Sequence, residues 1–289
     1  GSGGCLEDMQ IDGRTRVIRE INMLLSGNLM PGVSFCDIDR VALPLGEKFN
    51  SDIGWYSNKQ YPSLEALPLL ADHIVSHLRA AFGLSAKVLV LDLDNTLWGG
   101  VIGEDGLAGL RLGPSSPEGE CYLDLQRYAK ELNARGILLA VCSKNNLDDA
   151  QLPFKEHEAM ILNLDDFVVF SANWKDKASN LQAMSQSLSL GLDSFVFLDD
   201  NPLERAWVRS RLPEVIVPEC GSQPWEMLSC LRRGMYFESI AFTEEDVLRN
   251  QSYKSNIVRQ ELENSATTVD EFLVGLEMVA TCGQVDERT

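Results

Sequence analysis

Positive charge and long apolar runs are both scarce in this sequence. Lys and Arg number 25 against 43 Asp and Glu, a formal net charge of -18. Nonspecific nucleic-acid binding needs a basic surface, so that class is excluded. A phosphate ligand is not. A cation about 4 Å from a phosphate gains roughly 4 kcal/mol at an effective dielectric near 20. Carboxylates beyond the Debye length of about 8 to 10 Å are largely screened, so local cations decide the matter. No segment approaches the ~18 to 20 uninterrupted apolar residues of a membrane span. No signal peptide is evident either, which makes the cytoplasm the expected compartment. The seven cysteines are odd in number and never spaced Cys-x-x-Cys, which fits neither a disulfide framework nor a zinc site. They read as small buried hydrophobes, one of them a candidate nucleophile. Internal repeats and low-complexity tracts are absent.

With 289 residues and 45% apolar content, the chain can bury one substantial core plus flanking pieces. The opening Gly-Ser-Gly-Gly reads as a cloning scar, and residues 1–9 as a disordered start. The stop in polar residues after Val279 reads as a piece cut from a longer polypeptide. Residues 10–86 are expected to form an extension packing on the core, 87–234 the core, and 235–289 a helical C-terminal extension. In the core, strand-like and helix-like segments alternate, the pattern of a doubly wound α/β parallel sheet without a large cap. Strands are expected at 88–92, 137–142, 167–170, 194–198 and 215–217. Tyr122, Leu125, Ala129 and Leu132 recur at helical spacing before Gly136, and further helices are expected over 147–157, 175–188 and 202–211. Asn201-Pro202 looks like an N-cap and first-turn proline. Outside the core, helices are expected at 17–25, 67–81, 243–264 and 269–276.

The run Lys87-Val-Leu-Val-Leu-Asp-Leu-Asp-Asn-Thr-Leu-Trp98 carries the most chemistry. A buried strand ends in Asp92 and Asp94, with Thr96 following, where the chain leaves the sheet. One carboxylate can attack phosphorus while the other moves the proton. Downstream come Ser143 with Lys144, then Lys177, then Asp199 and Asp200, each at a strand or loop end. Carboxyl ends of neighbouring parallel strands share one crevice, so these groups can converge on one ligand. Asp92, with an acid from Asp199 or Asp200, can hold Mg²⁺, a hard ion that accepts oxygen ligands. Ser143 can donate to a phosphate oxygen, and Lys177 can neutralise charge that builds during transfer. The bland alternative is an ordinary strand with a polar turn at its end.

The ordered set resembles the four signature motifs of the haloacid dehalogenase (HAD) superfamily, which implies phosphoryl transfer through an aspartyl-phosphate. By that resemblance Asp92 is the nucleophile. Asp94 is the general acid and base, with its backbone carbonyl on the metal. Thr96, Ser143, Lys144 and Lys177 bind phosphate, and Asp92, Asp94, Asp199 and Asp200 form the Mg²⁺ set. The strings at 92–106, 142–146 (Cys-Ser-Lys-Asn-Asn), 173–177 (Asn-Trp-Lys-Asp-Lys) and 198–205 (Leu-Asp-Asp-Asn-Pro-Leu-Glu-Arg) look like the FkbH family. Residues 30–85 and 236–278 are similar to that family's flanks. The closer resemblance implies a partner in polyketide biosynthesis: use of 1,3-bisphosphoglycerate, loss of its phosphates, and delivery of a three-carbon acyl unit to an acyl carrier protein, beside neighbouring synthase domains. The alternative is a simple small-molecule phosphatase, or a docking module without catalysis.

Acyl transfer by this route is thought to use a cysteine thioester. Cys142 is the candidate, because it precedes Ser143 and lies near Lys144 and the metal, where positive charge favours thiolate. Strand alternation stands against it, since extended neighbours point to opposite faces. Cys121 is the second candidate, and Cys36, Cys220 and Cys230 read as structural. The glycine-rich Trp98–Gly106 is expected to form a hairpin flap turning at Asp105-Gly106. Arg205, Arg209 and Arg211 form either a patch for an acidic carrier or, as the favoured reading, a solvated face or internal ion pairs. Trp174 is expected near Lys177, Trp207 in the core, and His157 as a structural residue at a helix end.

Overall fold

The computed structural model describes residues 13–240 except 31 and 222, together with 249, 252–257 and 259. These fall into two compact units: one runs to Gly83 and takes in Glu238–Ile240, the other begins at Leu84. The first unit holds helices α1 (Arg14–Gly27), α2 (Asp39–Leu45), α3 (Asp52–Asn58) and α4 (Leu67–Ala81). Val41, Phe49 and Ala66 make its small core. The expected helices at 17–25 and 67–81 are present. The seven-residue α2 and α3 were not anticipated, being too short to show a period.

The second unit carries a four-stranded parallel sheet in the order β3-β2-β1-β4, with β1 at Val88–Leu91, β2 at Leu138–Ser143, β3 at Phe167–Ala172 and β4 at Phe195–Leu198. Strands β1, β2 and β4 are buried at every position. Their unbroken apolar runs reflect a sheet covered on both faces. Alternate residues divide between two cores. Leu89, Leu91, Leu139 and Val141 pack with α6 (Pro117–Ala134) and α10 (Pro224–Gly234). Val88, Val90, Leu138 and Ala140 pack with α8 (Lys177–Leu188) and α9 (Pro202–Arg211). Each fully buried Leu, Val or Phe contributes about 1.5–3 kcal/mol. Helix α7 spans Leu147–Glu156. The result is the doubly wound α/β architecture expected for the core.

Local chemistry sets the helix ends. Ser116 caps α6 by accepting from the Gly119 N–H at 3.0 Å, and Pro117 occupies its first turn. A Cβ at Gly119 would lie 2.5 Å from the Gly113 carbonyl oxygen. Gly136, at φ 85°, turns the chain into β2. Asn201 accepts from the Leu203 N–H at 2.9 Å, so the expected cap and Pro202 open α9.

Two expected elements differ. Residues 98–106 form no hairpin flap: Ile102–Gly109 is a short helix, α5, kinked at Gly106. Asp105 reaches back to accept from the Val101 N–H at 2.8 Å, and Ile102 is buried, so an acid at the helix start and an apolar anchor favour a helical turn. The segment's sheet-like contacts are isolated bridges, Asp94–Trp98 (parallel) and Gly99–Arg111 (antiparallel). The expected strand at 215–217 is a single parallel bridge between Ile216 and Val196. Pro213 and Pro218 flank it and have no N–H to extend the ladder. The helix expected over 243–264 is seen at its described positions, and 269–276 lies outside the described residues. No described helix is long and apolar enough to cross a membrane.

Candidate active site

Because β1 lies between β2 and β4, the order of strands reverses at β1, and their carboxyl ends open on one cleft there. The cleft has a volume of about 190 Å³ and is lined by Asp92, Asp94, Ser143, Lys144, Lys177, Asp200 and Glu204, with Asn95 and Asn201. Asp92 follows β1 directly, and its N–H donates to the Leu198 carbonyl at 3.0 Å, which continues the β1–β4 ladder into the site.

Lys177, first residue of α8, is the electrostatic centre. Its ammonium lies 2.9 Å from Asp92 Oδ2 and 2.5 Å from Asp199 Oδ2, and its side chain is 3% exposed. Burial works against the charged ammonium, yet the two carboxylates outweigh it and hold Lys177 above the usual lysine range. Burial, then the Asp92 carboxylate, push Asp199 up to about 7 against the pull of Lys177. The same two causes in the same order push Asp200 up to about 6. One ammonium is too little charge for three acids.

Each of Asp92, Asp199 and Asp200 offers an oxygen within 4.8 Å of the others'. Asp92 Oδ1 is buried without a hydrogen-bond partner. An orphaned carboxylate oxygen beside two further carboxylates is the donor set a hard divalent cation takes. The Asp94 carboxylate is outside that cluster. Its side chain is held on both oxygens: Oδ1 accepts from Trp98 Nε1 at 2.9 Å and the Ile102 N–H at 3.0 Å, Oδ2 from Asn145 Nδ2 at 2.8 Å. Asn145 also donates to Ser143 Oγ at 3.3 Å, linking the acid–base candidate to the phosphate donor. Asn145 was quoted in the Cys-Ser-Lys-Asn-Asn string without a role. A buried amide two residues after a strand-end serine was the available signal.

Three expected site residues are not among those that line the cleft: Asp199, fully buried against Lys177, and Thr96 and Cys142. Thr96 is fully buried, and its Oγ1 accepts from the Asp200 N–H at 3.2 Å, so it holds the β4–α9 loop. Cys142 is fully buried in the core below the cleft, where burial pushes its thiol up to about 12, the opposite of the expected thiolate. The chain stays extended through Cys142 and Ser143, and alternation turns only Ser143 into the cleft. Cys121, on α6, donates to the Pro117 carbonyl and lies outside the lining. Burial and the acids Asp124, Glu120 and Glu118 raise its pKa as well.

Other expectations around the site change. Cys220 and Cys230 are structural, as expected, but they are paired as a disulfide, which the number and spacing of the cysteines did not suggest. Trp174 is exposed and donates to Asn146 Oδ1 at 3.0 Å, and Trp207 is exposed rather than core. Arg205 is buried, and its Nη1 donates to the Asp199 and Asp200 carbonyls at 2.8 and 2.7 Å. Arg209 binds the Val217 and Pro218 carbonyls and Glu219, and Arg211 stacks on Trp207. Arg205 and Arg209 therefore follow the internal-partner reading, and Arg211 lies on the exposed face of α9.

No protein-family model and no curated protein matches the sequence. Among solved structures, the chain is similar to the N-terminal part of the protein BF1531 from Bacteroides fragilis, which contains a phosphatase domain and is complexed with Mg. The two share 36% identity and a TM-score of 0.76 over 84% of this chain and 64% of that one. This chain therefore spans just under two thirds of that neighbour's length. The likeness supports the α/β fold assignment directly, and the acidic triad can bind a metal ion of the kind present in the neighbour.

Proposed function

We propose that this chain is a magnesium-dependent phosphatase of the HAD type. The observation that carries the reading is Asp92: one oxygen is held by Lys177, the other is buried and unpartnered, and both stand at the cleft floor beside Ser143. Asp92, Asp199 and Asp200 would hold Mg²⁺, which supplies positive charge for phosphate oxygens when bound. One oxygen of the Asp92 carboxylate attacks phosphorus, the ester P–O bond breaks, and Asp94 gives its proton to the departing oxygen. Water then attacks the aspartyl-phosphate, Asp94 takes back a proton, and phosphate and free Asp92 are restored. Ser143 donates to a phosphate oxygen, and Lys177 stays with Asp92 and Asp199 to offset charge throughout. The hydrogen bonds from Trp98, Ile102 and Asn145 aim Asp94 and hold its position.

The finer reading, supported by the FkbH-like strings, is that the substrate is 1,3-bisphosphoglycerate and that the three-carbon unit passes to the thiol of an acyl carrier protein, with neighbouring synthase domains as partners. A cleft with only an eight-residue helix inserted above β1 leaves room for a flexible arm to enter. Since Cys142 is sealed in the core, the carrier thiol itself would attack the acyl phosphate carbonyl, expelling phosphate. Mass spectrometry of carrier protein incubated with this chain, Mg²⁺ and 1,3-bisphosphoglycerate separates the readings. A glyceryl adduct that requires the chain supports acyl transfer. Phosphate release without loading leaves the phosphatase, and neither outcome removes both.

A further inference from the structure

Asp199 and Asp200 leave β4 on a loop whose backbone is gripped from two sides. On one, the Thr96 hydroxyl oxygen accepts from the Asp200 N–H at 3.2 Å. On the other, the buried Arg205 guanidinium donates through Nη1 to the Asp199 and Asp200 carbonyls, at 2.8 and 2.7 Å. Its Nη2 donates to the Cys220 carbonyl at 3.0 Å and to Glu219 Oε1 at 3.4 Å. A planar guanidinium makes such bonds in a fixed fork, so the place of the acidic loop follows the backbone at residue 220. That backbone is itself tied down. Glu219 pairs with Arg209 at 2.6 Å, and Cys220 is joined by its disulfide to Cys230 on α10. Helices α9 and α10 cover opposite faces of the sheet, so Arg205 and the disulfide together connect both layers to the loop that carries the acids. Magnesium demands near-octahedral oxygens at about 2.0–2.1 Å, and a small displacement of its ligands therefore costs affinity. Arg205 bonds the carbonyls and is absent from the cleft lining, so it acts on the ion only through the loop.

We infer that Arg205 is a positioning residue for the magnesium acids and that the Cys220–Cys230 disulfide tunes magnesium affinity through it. The inference rests on the proposed phosphatase reading for the place of the ion at Asp92, Asp199 and Asp200. Lysine at position 205 keeps the positive charge but lacks the fork that holds the carbonyls of residues 199, 200 and 220 in one plane. Without the disulfide, residue 220 is tied to α10 by packing alone, and Arg205 passes any shift there to Asp199 and Asp200.

Calorimetric titration with Mg²⁺ tests this in the native chain, in Arg205→Lys, in the pair Cys220→Ser and Cys230→Ser, and in all these substitutions combined. Each is measured where its circular dichroism without Mg²⁺ is native. Groups that orient metal ligands typically carry about 10–100-fold in affinity, so Arg205→Lys should weaken Mg²⁺ binding about tenfold and the serine pair a few fold. Added to Arg205→Lys, the serine pair should change little further, because both act on one path. A merely structural role would lower the melting temperature without Mg²⁺ and leave the affinity as it was. Native affinity in Arg205→Lys or in the serine pair, or effects of the two that multiply independently, would overturn the inference. So would labelling of Cys220 and Cys230 by a thiol reagent in the denatured, unreduced chain. If Arg205→Lys does not fold, the serine pair decides alone, a several-fold loss supporting the inference and native affinity overturning it. Phosphate release from a small phosphomonoester is followed in parallel. Affinity that tracks Arg205 without any release would sink the phosphatase reading and leave the inference standing; release with affinity indifferent to Arg205 would do the reverse, and no Mg²⁺ binding by the native chain would end both.

Discussion

Lys177 stays charged with almost no water around it because two carboxylates replace the solvent. Removing one partner of such a buried pair costs about 3–5 kcal/mol. Lys177→Met is accordingly expected to unfold at markedly lower urea, with the loss reduced in Mg²⁺, since a divalent cation can take over part of the neutralisation. A variant equally destabilised with and without Mg²⁺ would contradict the shared acidic site. Cys142 makes the opposite point, that nearness to a cation does not make a thiolate when burial dominates. Among the free cysteines of the described residues, Cys36 and Cys121 should alkylate in the native protein while Cys142 stays unlabelled, as peptide mass spectrometry would report. Rapid labelling of Cys142 would restore it as a candidate nucleophile. The position of Cys142 was foreseeable from strand alternation, while its depth was not: only the packing of α8 against β2 buries it. Thr96 was misplaced for a related reason. Its nearness in sequence to Asp92 and Asp94 says nothing of the loop folding back to bond Asp200.

At the level of elements, legibility followed the strength of the period. The strands at 88–91, 138–143 and 195–198 were readable because a sheet covered on both faces demands unbroken apolar runs. Helix α6 was readable from its spaced apolar residues and its glycine stop. Helix α5 was misread, because a glycine-rich stretch with Asp-Gly signals a hairpin as well as it signals a kinked helical turn. Helix α10 went unrecognised although Gln223 and Glu226 form a reciprocal cap, since glutamine is an uncommon cap residue. Helix α6 also sets two effects against each other at Gly119. Alanine is the better helix former by about 1 kcal/mol, but its Cβ would press on the Gly113 carbonyl, and overpacking typically costs about 1–3 kcal/mol. Gly119→Ala should therefore destabilise the protein in chemical denaturation. A stabilised variant would show that the 113–116 turn yields freely.

For the molecule as a whole, the same topology that makes the core makes the site. Placing β1 between β2 and β4 gathers residues from 92 to 204 at one sheet edge, and the convergence of the acids was legible from their places at strand ends. The network that tunes them, Trp98 and Asn145 on Asp94 and Arg205 under the acidic loop, was not, because it depends on loop conformations that no period announces. A cation that binds the folded acids stabilises the fold by mass action, about 2.7 kcal/mol at a hundredfold excess over Kd. Mg²⁺ should raise the melting temperature of the native chain, and Asp199→Asn should lose most of that rise. Equal shifts in both would place the ion elsewhere.

The account stands on Asp92 as the group that receives phosphate. Acid-quenching the chain during turnover of a small phosphomonoester in Mg²⁺, followed by peptide mapping, tests this most directly. The predicted result is the mass of one phosphoryl group on the peptide containing Asp92, absent in Asp92→Asn together with phosphate release. Phosphate release that continues in Asp92→Asn, or a phosphoryl group mapped to another residue, would contradict it.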